Sequence, residues 1–102
     1  MSIKSGSLNT ENKVRLFMTI EGRIYRDALL YKLVSQKDID LVGESSKGAD
    51  TLKLLERCSP TTLIIEENLK DVDGLTVSEM ALAKYPSLTI ILLVDAEITQ
   101  NR

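Results

Sequence analysis

The sequence contains no histidine and no tryptophan, and it has a single cysteine among its 102 residues. Without histidine, the chain lacks the commonest general base and the commonest protein ligand for transition metals. The cysteine, Cys58, has no second thiol with which to form a disulfide, and its position in a helix-like segment indicates a buried, inert thiol. The composition therefore excludes histidine-dependent catalysis, histidine metal sites and an intramolecular disulfide.

A large surplus of charge of either sign is also missing. Thirteen basic and fifteen acidic residues give a formal net charge of -2, whereas a surface that binds nucleic acid normally carries a basic excess. The longest apolar stretch, Leu88–Val94, is far shorter than the roughly 20 residues that span a bilayer. Residues 1–12 lack the apolar core of a signal peptide. We therefore expect a cytoplasmic protein that binds neither nucleic acid nor membrane.

Apolar residues make up 43% of the chain, which is enough for one small folded domain. Residues 1–12 are rich in Ser, Asn, Gly and Thr, and this composition predicts a disordered leader. Residues 13–102 are expected to form the domain itself.

Short strand-like runs alternate with helical patterns along this domain. Strands are predicted over Val14–Thr19, Ile39–Glu44, Thr61–Ile65 and Thr89–Val94, and helices over Arg23–Ser35, from Ser46 through Cys58, and over Leu75–Tyr85. The first helix is expected to bury a stripe of Tyr25, Ala28, Leu29 and Leu33, and the third to place Val77, Met80, Ala81 and Lys84 on one face. Continuous apolar strands that alternate with helices predict a doubly wound parallel α/β sheet. No fifth strand follows in the sequence, so we expect an incomplete sheet with an apolar edge at the fourth strand.

Acidic side chains follow the strands at the edge where sites form in such sheets. Glu21 follows the first strand, and Glu66 and Glu67 follow the third. Carboxylates there could gather Mg²⁺, although solvated side chains are the commoner explanation. No glycine-rich phosphate-binding motif of the Rossmann or Walker type is present. Spacing alone therefore leaves the chemistry of this edge open.

Four segments in order resemble the receiver domain of bacterial response regulators, particularly the LuxR-type, NarL-like branch. They are KVRLFMTIEGRIYRDALLYKL, IDLVGESSKGADTLKLLE, TTLIIEENLKDVDGLTV and YPSLTIILLVDA. The second is similar to that family's V-G-E-A-x-x-G-x-E-A pattern, the third contains its D-G-L, and the fourth its leading Y-P. The resemblance runs from about Lys13 to Ala96 and implies a flavodoxin-like receiver fold, truncated before the fifth strand.

The resemblance implies a phosphorylation site whose residues are replaced here. In that family a histidine kinase phosphorylates an aspartate at the end of the third strand, and an acidic pair holds Mg²⁺ beside it. The acidic pair corresponds to Ile20 and Glu21, the phosphoacceptor to Glu66, and the hydroxyl that senses the phosphoryl group to Val94. The family's fifth-strand lysine has no counterpart. We expect a degenerate acidic pocket with no catalytic residue, no metal and no cofactor, in which Glu66 is not phosphorylated.

The leading hypothesis is a phosphorylation-independent receiver-like signalling module. It would act by binding a partner protein or by forming a homodimer, through the edge of the fourth strand or by exchange of elements. An alternative is the N-terminal receiver part of a LuxR-type transcription regulator whose helix-turn-helix domain is absent from this chain. Glu66 as a phosphomimic, an enzyme working at Glu21 and Glu66, and a working phosphoreceiver are further possibilities, each disfavoured by the missing groups.

Overall fold

The computed structural model describes residues 13–94, in which four strands alternate with three helices. The elements in chain order are β1 (Val14–Thr19), α1 (Arg23–Val34), β2 (Ile39–Ser45), α2 (Gly48–Cys58), β3 (Thr62–Glu66), α3 (Gly74–Lys84) and β4 (Thr89–Leu93). Each element lies where its sequence pattern predicted it, with small differences at the ends. The predicted leader over residues 1–12 lies outside the described residues.

The strands form one parallel sheet in the order β2-β1-β3-β4. The central strands are therefore β1 and β3, and β2 and β4 are the edge strands of the described sheet. The register of β1 and β2 shifts between Leu16 and Phe17, so that β2 carries a bulge. This topology confirms the predicted doubly wound parallel α/β fold. None of the three helices within residues 13–94 has the length and apolar character that crossing a membrane requires.

Two hydrophobic clusters fill the two faces of the sheet, because successive side chains of a strand point to opposite faces. The larger lies under α2 and α3 and contains Phe17, Leu55, Leu63, Ile65, Leu69, Val77, Ala81 and Leu88. The smaller lies on the α1 side and contains Leu16, Met18, Ile20 and Ile64. Cys58 was predicted to be buried but is only half-buried, with its side chain packed against the larger cluster.

Helix α1 covers its face loosely. It has no fully buried residue, and its contacts with the smaller cluster come from Leu29, Leu30 and Leu33. The predicted stripe was wrong at Tyr25 and Ala28, which are both exposed. The leucines of α1 therefore face the sheet, while Tyr25 remains 50% exposed.

The buried face of α3 also differs from the prediction. Val77, Ser78 and Ala81 are buried, whereas Met80 is 52% exposed. The hydroxyl of Ser78 can enter the interior because it donates to the carbonyl oxygen of Gly74 at 2.8 Å. Lys84 lies outside the core, with its ammonium 3.8 Å from the carboxylate of Glu56.

Arg15 joins the start of β1 to the end of α2. Its guanidinium donates to the carbonyl oxygens of Ser59 at 3.0 Å and of Cys58 at 2.6 Å. A cation at this position complements the negative end of the helix dipole. Ser59 itself adopts the left-handed conformation, with φ 48°, and this ends α2.

Candidate functional site

The four residues singled out by the sequence lie at the carboxyl edge of the sheet. Thr19 pairs with Ile65 in the register of β1 and β3, and Glu66 pairs with Leu93 in that of β3 and β4. The residues Ile20, Glu21, Glu66 and Val94 therefore follow one another across three adjacent strand ends. Ile20 is fully buried in the smaller cluster, Glu21 and Glu66 are half-buried, and Val94 is 60% exposed.

The carboxylate of Glu66 binds the backbone of the neighbouring strand end. Its Oε1 accepts a hydrogen bond from the amide of Glu21 at 2.7 Å. An ionised acceptor makes a stronger bond than a neutral one, so this contact fixes the Glu66 side chain against the end of β1.

The carboxylate of Glu21 in turn reaches the loop that connects β3 to α3, residues 67–73. Its Oε2 accepts from the amide of Lys70 at 2.9 Å. Two successive hydrogen bonds thus link the end of β3 to the end of β1, and the end of β1 to the β3–α3 loop. In each carboxylate, one oxygen accepts from a backbone amide of the chain itself.

The β3–α3 loop is fixed at its other end by close contact with the strand. The amide of Gly74 donates to the carbonyl oxygen of Glu67 at 2.8 Å, and the amide of Glu67 donates to the carbonyl oxygen of Leu93 at 2.8 Å. A Cβ on Gly74 would lie 1.9 Å from the carbonyl oxygen of Glu66, so only glycine fits there. The D-G that the sequence marks as a turn therefore also holds α3 against the end of β3, while Asp73 caps the helix by accepting from Thr76.

Asp71, at the far side of the same loop, caps a different helix. Its Oδ1 and Oδ2 accept from the amides of Gly48 and Ala49, each at 3.0 Å. These are unpaired donors of the first turn of α2. The bond from Ala49, with that from Gly48, holds the pKa of the Asp71 carboxyl below its ordinary value, because it favours the ionised form.

A buried pair of hydroxyls lies below the strand ends. Thr19 and Thr51 are fully buried, and their Oγ1 atoms are 2.5 Å apart. Because Thr51 already donates its proton to the carbonyl of Lys47 at 3.0 Å, Thr19 is the donor within the pair. Sequence reasoning missed this contact, as it missed the caps by Asp71 and Asp73. A threonine in an otherwise apolar strand was the available signal.

The residues present do not fit a magnesium ion of the kind that the family resemblance implies. One position of the acidic pair is the buried side chain of Ile20, and the carboxylates of Glu21 and Glu66 each accept from a backbone amide. Within residues 13–94 no group of three or more His, Cys, Asp or Glu is placed to hold a metal. These bonds use one oxygen of each carboxylate and Ile20 supplies none, so the edge offers fewer carboxylate oxygens than a hard cation takes.

A cleft of about 400 Å³ lies at the opposite end of the molecule. It is lined by residues at the ends of α2 and α3 and at the starts of β3 and β4, among them Ser59, Pro60 and Tyr85. It shares no residue with the carboxyl edge and contains neither Glu21 nor Glu66. This cleft is therefore separate from the position at which receiver chemistry would occur.

Comparisons with known proteins agree with the resemblance seen in the sequence. No family model matches the chain. It is 24% identical over 82 residues to the transcriptional regulatory protein YhcZ of Bacillus subtilis, and 22% identical over 82 residues to the response regulator protein VraR of Staphylococcus saprophyticus. These matches cover 80% of this chain, but only 38% of YhcZ and 39% of VraR. The chain therefore spans less than half the length of these curated relatives.

Solved structures confirm the fold. The isolated receiver domain of RcsB from Salmonella enterica matches with a TM-score of 0.75 at 22% identity, over 81% of this chain and 62% of that one. The receiver domain of the putative response regulator NarL from Mycobacterium tuberculosis matches with a TM-score of 0.72 at 24% identity, over 81% and 67%. The chain has the flavodoxin-like fold and is similar to the receiver domains of LuxR- and NarL-type response regulators.

Proposed function

We propose that this chain is a phosphorylation-independent signalling module that acts by binding protein, either a partner or a second copy, and that it is not an enzyme. The observation that carries the proposal is the engagement of both carboxylates at the carboxyl edge. Glu66 and Glu21 accept from backbone amides at 2.7 Å and 2.9 Å. Each bond uses one of the two carboxylate oxygens and fixes the orientation of the side chain, so the pair cannot reorient around a metal ion or a phosphodonor without breaking a bond that fixes the fold.

The other two positions support the same conclusion. Ile20 is fully buried and offers no ligand, and Val94 has no hydroxyl with which to donate to a phosphoryl oxygen. Two features disfavour a phosphomimic role for Glu66. Its carboxylate accepts a hydrogen bond from the amide of Glu21 at the end of β1. The residue that would respond to the charge, Val94, is apolar.

Phosphorylation and its mimic test the proposal directly. The chain is incubated with Mg²⁺ and acetyl phosphate and its intact mass is recorded, with the receiver domain of RcsB treated in parallel as the positive control. We expect no mass increase in this chain. Backbone amide chemical shifts recorded with and without BeF₃⁻ and Mg²⁺ should also be unchanged. A stoichiometric phosphoryl adduct on Glu66 would refute the proposal.

A second candidate is a receiver that belongs to a longer DNA-binding regulator. It is favoured by the coverage of the relatives, since YhcZ, which is named as a transcriptional regulatory protein, is matched over only 38% of its length. In that case the phosphorylation-independent contacts proposed here would act on a neighbouring domain. The length of the native reading frame distinguishes a separate module from a regulator domain.

A further inference from the structure

We propose that β4 pairs edge to edge with β4 of a second copy, antiparallel and centred on Ile91, so that the two sheets become one. This pairing rests on the proposed function, in which the chain acts through contacts with protein. The partner is then a second copy of the chain, and the contact surface is β4. Within residues 13–94 no strand lies on the outer side of β4, which is the end of the strand order.

The backbone of β4 has four groups directed away from the sheet. The amide of Thr89 donates to the carbonyl of Thr61 at 3.0 Å, and the carbonyl of Leu93 accepts from Glu67 at 2.8 Å. Both groups therefore face β3. Because the backbone groups of a strand alternate in direction, the amides and carbonyls of Ile90 and Leu92 face outward.

These outward groups are placed symmetrically about Ile91, which makes the strand complementary to itself. In an antiparallel pair with its twofold axis at Ile91, Ile90 lies opposite Leu92 of the second copy and exchanges two hydrogen bonds with it. The symmetry-related pair adds two more, and all four groups are satisfied. Ile91 then faces its own copy in the closely spaced, non-hydrogen-bonded position.

The side chains of β4 also favour such a contact. Ile90 and Leu92 pack against the larger cluster and Leu93 against the smaller one, so Ile91 lies on the α1 side, where it is 45% exposed. The segment Thr89–Leu93 contains no charge, no proline and no bulge. Charges, prolines and bulges are the features by which proteins normally prevent edge-to-edge association, and β4 lacks all three.

The opposite edge of the sheet shows the contrast. Strand β2 carries Asp40 and Glu44 and is interrupted by the bulge opposite Leu16 and Phe17. Two copies that met at β2 would bring like charges together, whereas two that meet at β4 would not. The occupant best matched to the uncharged, symmetric β4 edge is therefore another β4.

Sedimentation of the full chain tests the pairing. A contact through one short strand belongs to the small, weak class of interfaces, so concentrations from about 10 µM to about 1 mM are needed. We expect a concentration-dependent dimer for the wild type, and monomers for Ile91→Lys and Ile91→Glu, because each places like charges opposite one another. A mixture of the two variants should dimerise again, since the opposed charges are then complementary.

The matched control is Ile24→Lys on α1, which changes a residue that is 85% exposed and distant from β4 in the chain. It should dimerise as the wild type does. A monomeric wild type at all concentrations, a dimeric Ile91→Lys, a monomeric Ile24→Lys, or a mixture of the two Ile91 variants that stays monomeric would each overturn the proposed contact.

Hydrogen exchange of the wild type keeps the test independent of how the variants fold. The amides of Ile90 and Leu92 should exchange more slowly at high than at low protein concentration, while the inward amide of Thr89 should change little. Equal rates at both concentrations for Ile90 and Leu92 would count against pairing. These outcomes are separate from phosphorylation, so the contact can fail while the phosphorylation-independent function stands, and the reverse.

Discussion

At the scale of single residues, Asp71 shows how a loop carboxylate can serve a helix that lies elsewhere in the sequence. Both of its oxygens bind amides at the start of α2, 22 and 23 residues away. This bond set joins the β3–α3 loop to α2, as Glu21 joins it to β1. The loop that follows the phosphoacceptor-equivalent position is therefore held on two sides by carboxylates.

Asp71→Asn should lower the melting temperature at neutral pH, because an amide can replace only one of the two accepting oxygens and carries no charge. The folded-state pKa of Asp71 lies below its ordinary value of 3.8, so its contribution to stability is fully present above that value. It is lost as the pH falls through the folded-state pKa. The difference in melting temperature between wild type and variant should therefore shrink below about pH 3.8.

Calorimetry across pH checks this, with Asp38→Asn in the α1–β2 loop as the matched control at an exposed position. The control should follow the wild type at neutral pH. A difference for Asp71→Asn that stayed constant down to pH 2 would contradict the assigned cap.

The residues of the site were predictable in position but not in what they contact. The register of parallel strands brings Ile20, Glu21 and Glu66 to one edge, and the sequence pattern was sufficient to show this. That Glu66 binds an amide of β1, and Glu21 an amide at Lys70, depends on the course of the β3–α3 loop. Loop conformation is set by tertiary contacts such as the packing of Gly74 against Glu66, which no periodicity reveals.

At the scale of elements, the helices differ in how deeply their side chains are buried against the sheet. Helix α2 buries Leu55, which is 1% exposed, in the larger cluster, whereas α1 has no buried residue. The free energy that each helix contributes by burial should differ in the same order.

Leu55→Ala should lower the free energy of unfolding by about 2–5 kcal/mol, because it leaves a cavity in a closed cluster. Leu33→Ala, on the half-buried face of α1, should cost about 1 kcal/mol. Urea unfolding followed by circular dichroism measures both, and Met80→Ala at an exposed position of α3 should remain within about 0.5 kcal/mol of wild type. Equal losses for Leu55→Ala and Leu33→Ala would show that α1 packs as deeply as α2.

The elements themselves were the most predictable level. All four strands and three helices follow from apolar runs and helical spacing, and their order alone indicates a parallel sheet. The errors fell on helix faces, where Met80 was expected to be buried and Ser78 was not considered. A short hydroxyl that bonds the preceding turn can replace an apolar side chain in the core, and spacing cannot distinguish the two.

At the scale of the whole molecule, the two edge strands of the described sheet differ in charge. Charged side chains lie on β2, while β4 has none, and the chain as a whole carries only -2. Association through β4 should therefore depend on backbone hydrogen bonds and apolar contact rather than on charge.

We expect the dimerisation constant to change by less than about threefold between about 0.1 M and about 1 M sodium chloride, although the Debye length falls from about 10 Å to about 3 Å. Sedimentation at the two salt concentrations measures it. The charge-paired mixture of Ile91→Lys and Ile91→Glu is the internal control, since its association should weaken with salt. A wild-type dimer that dissociated at high salt would indicate a contact between charged surfaces instead of β4.

The bond between Glu66 and the amide of Glu21 also limits which mutational paths lead away from this sequence. On the proposed function, Glu66→Asp does not take the chain back toward a phosphorylated receiver, because the shorter side chain withdraws the acceptor from the end of β1. Stability would fall before any activity was regained, since Ile20 and Val94 would still supply neither a ligand nor a hydroxyl. A functioning phosphoreceiver would thus require several coordinated substitutions, and the one at Glu66 is by itself expected to be a disadvantage.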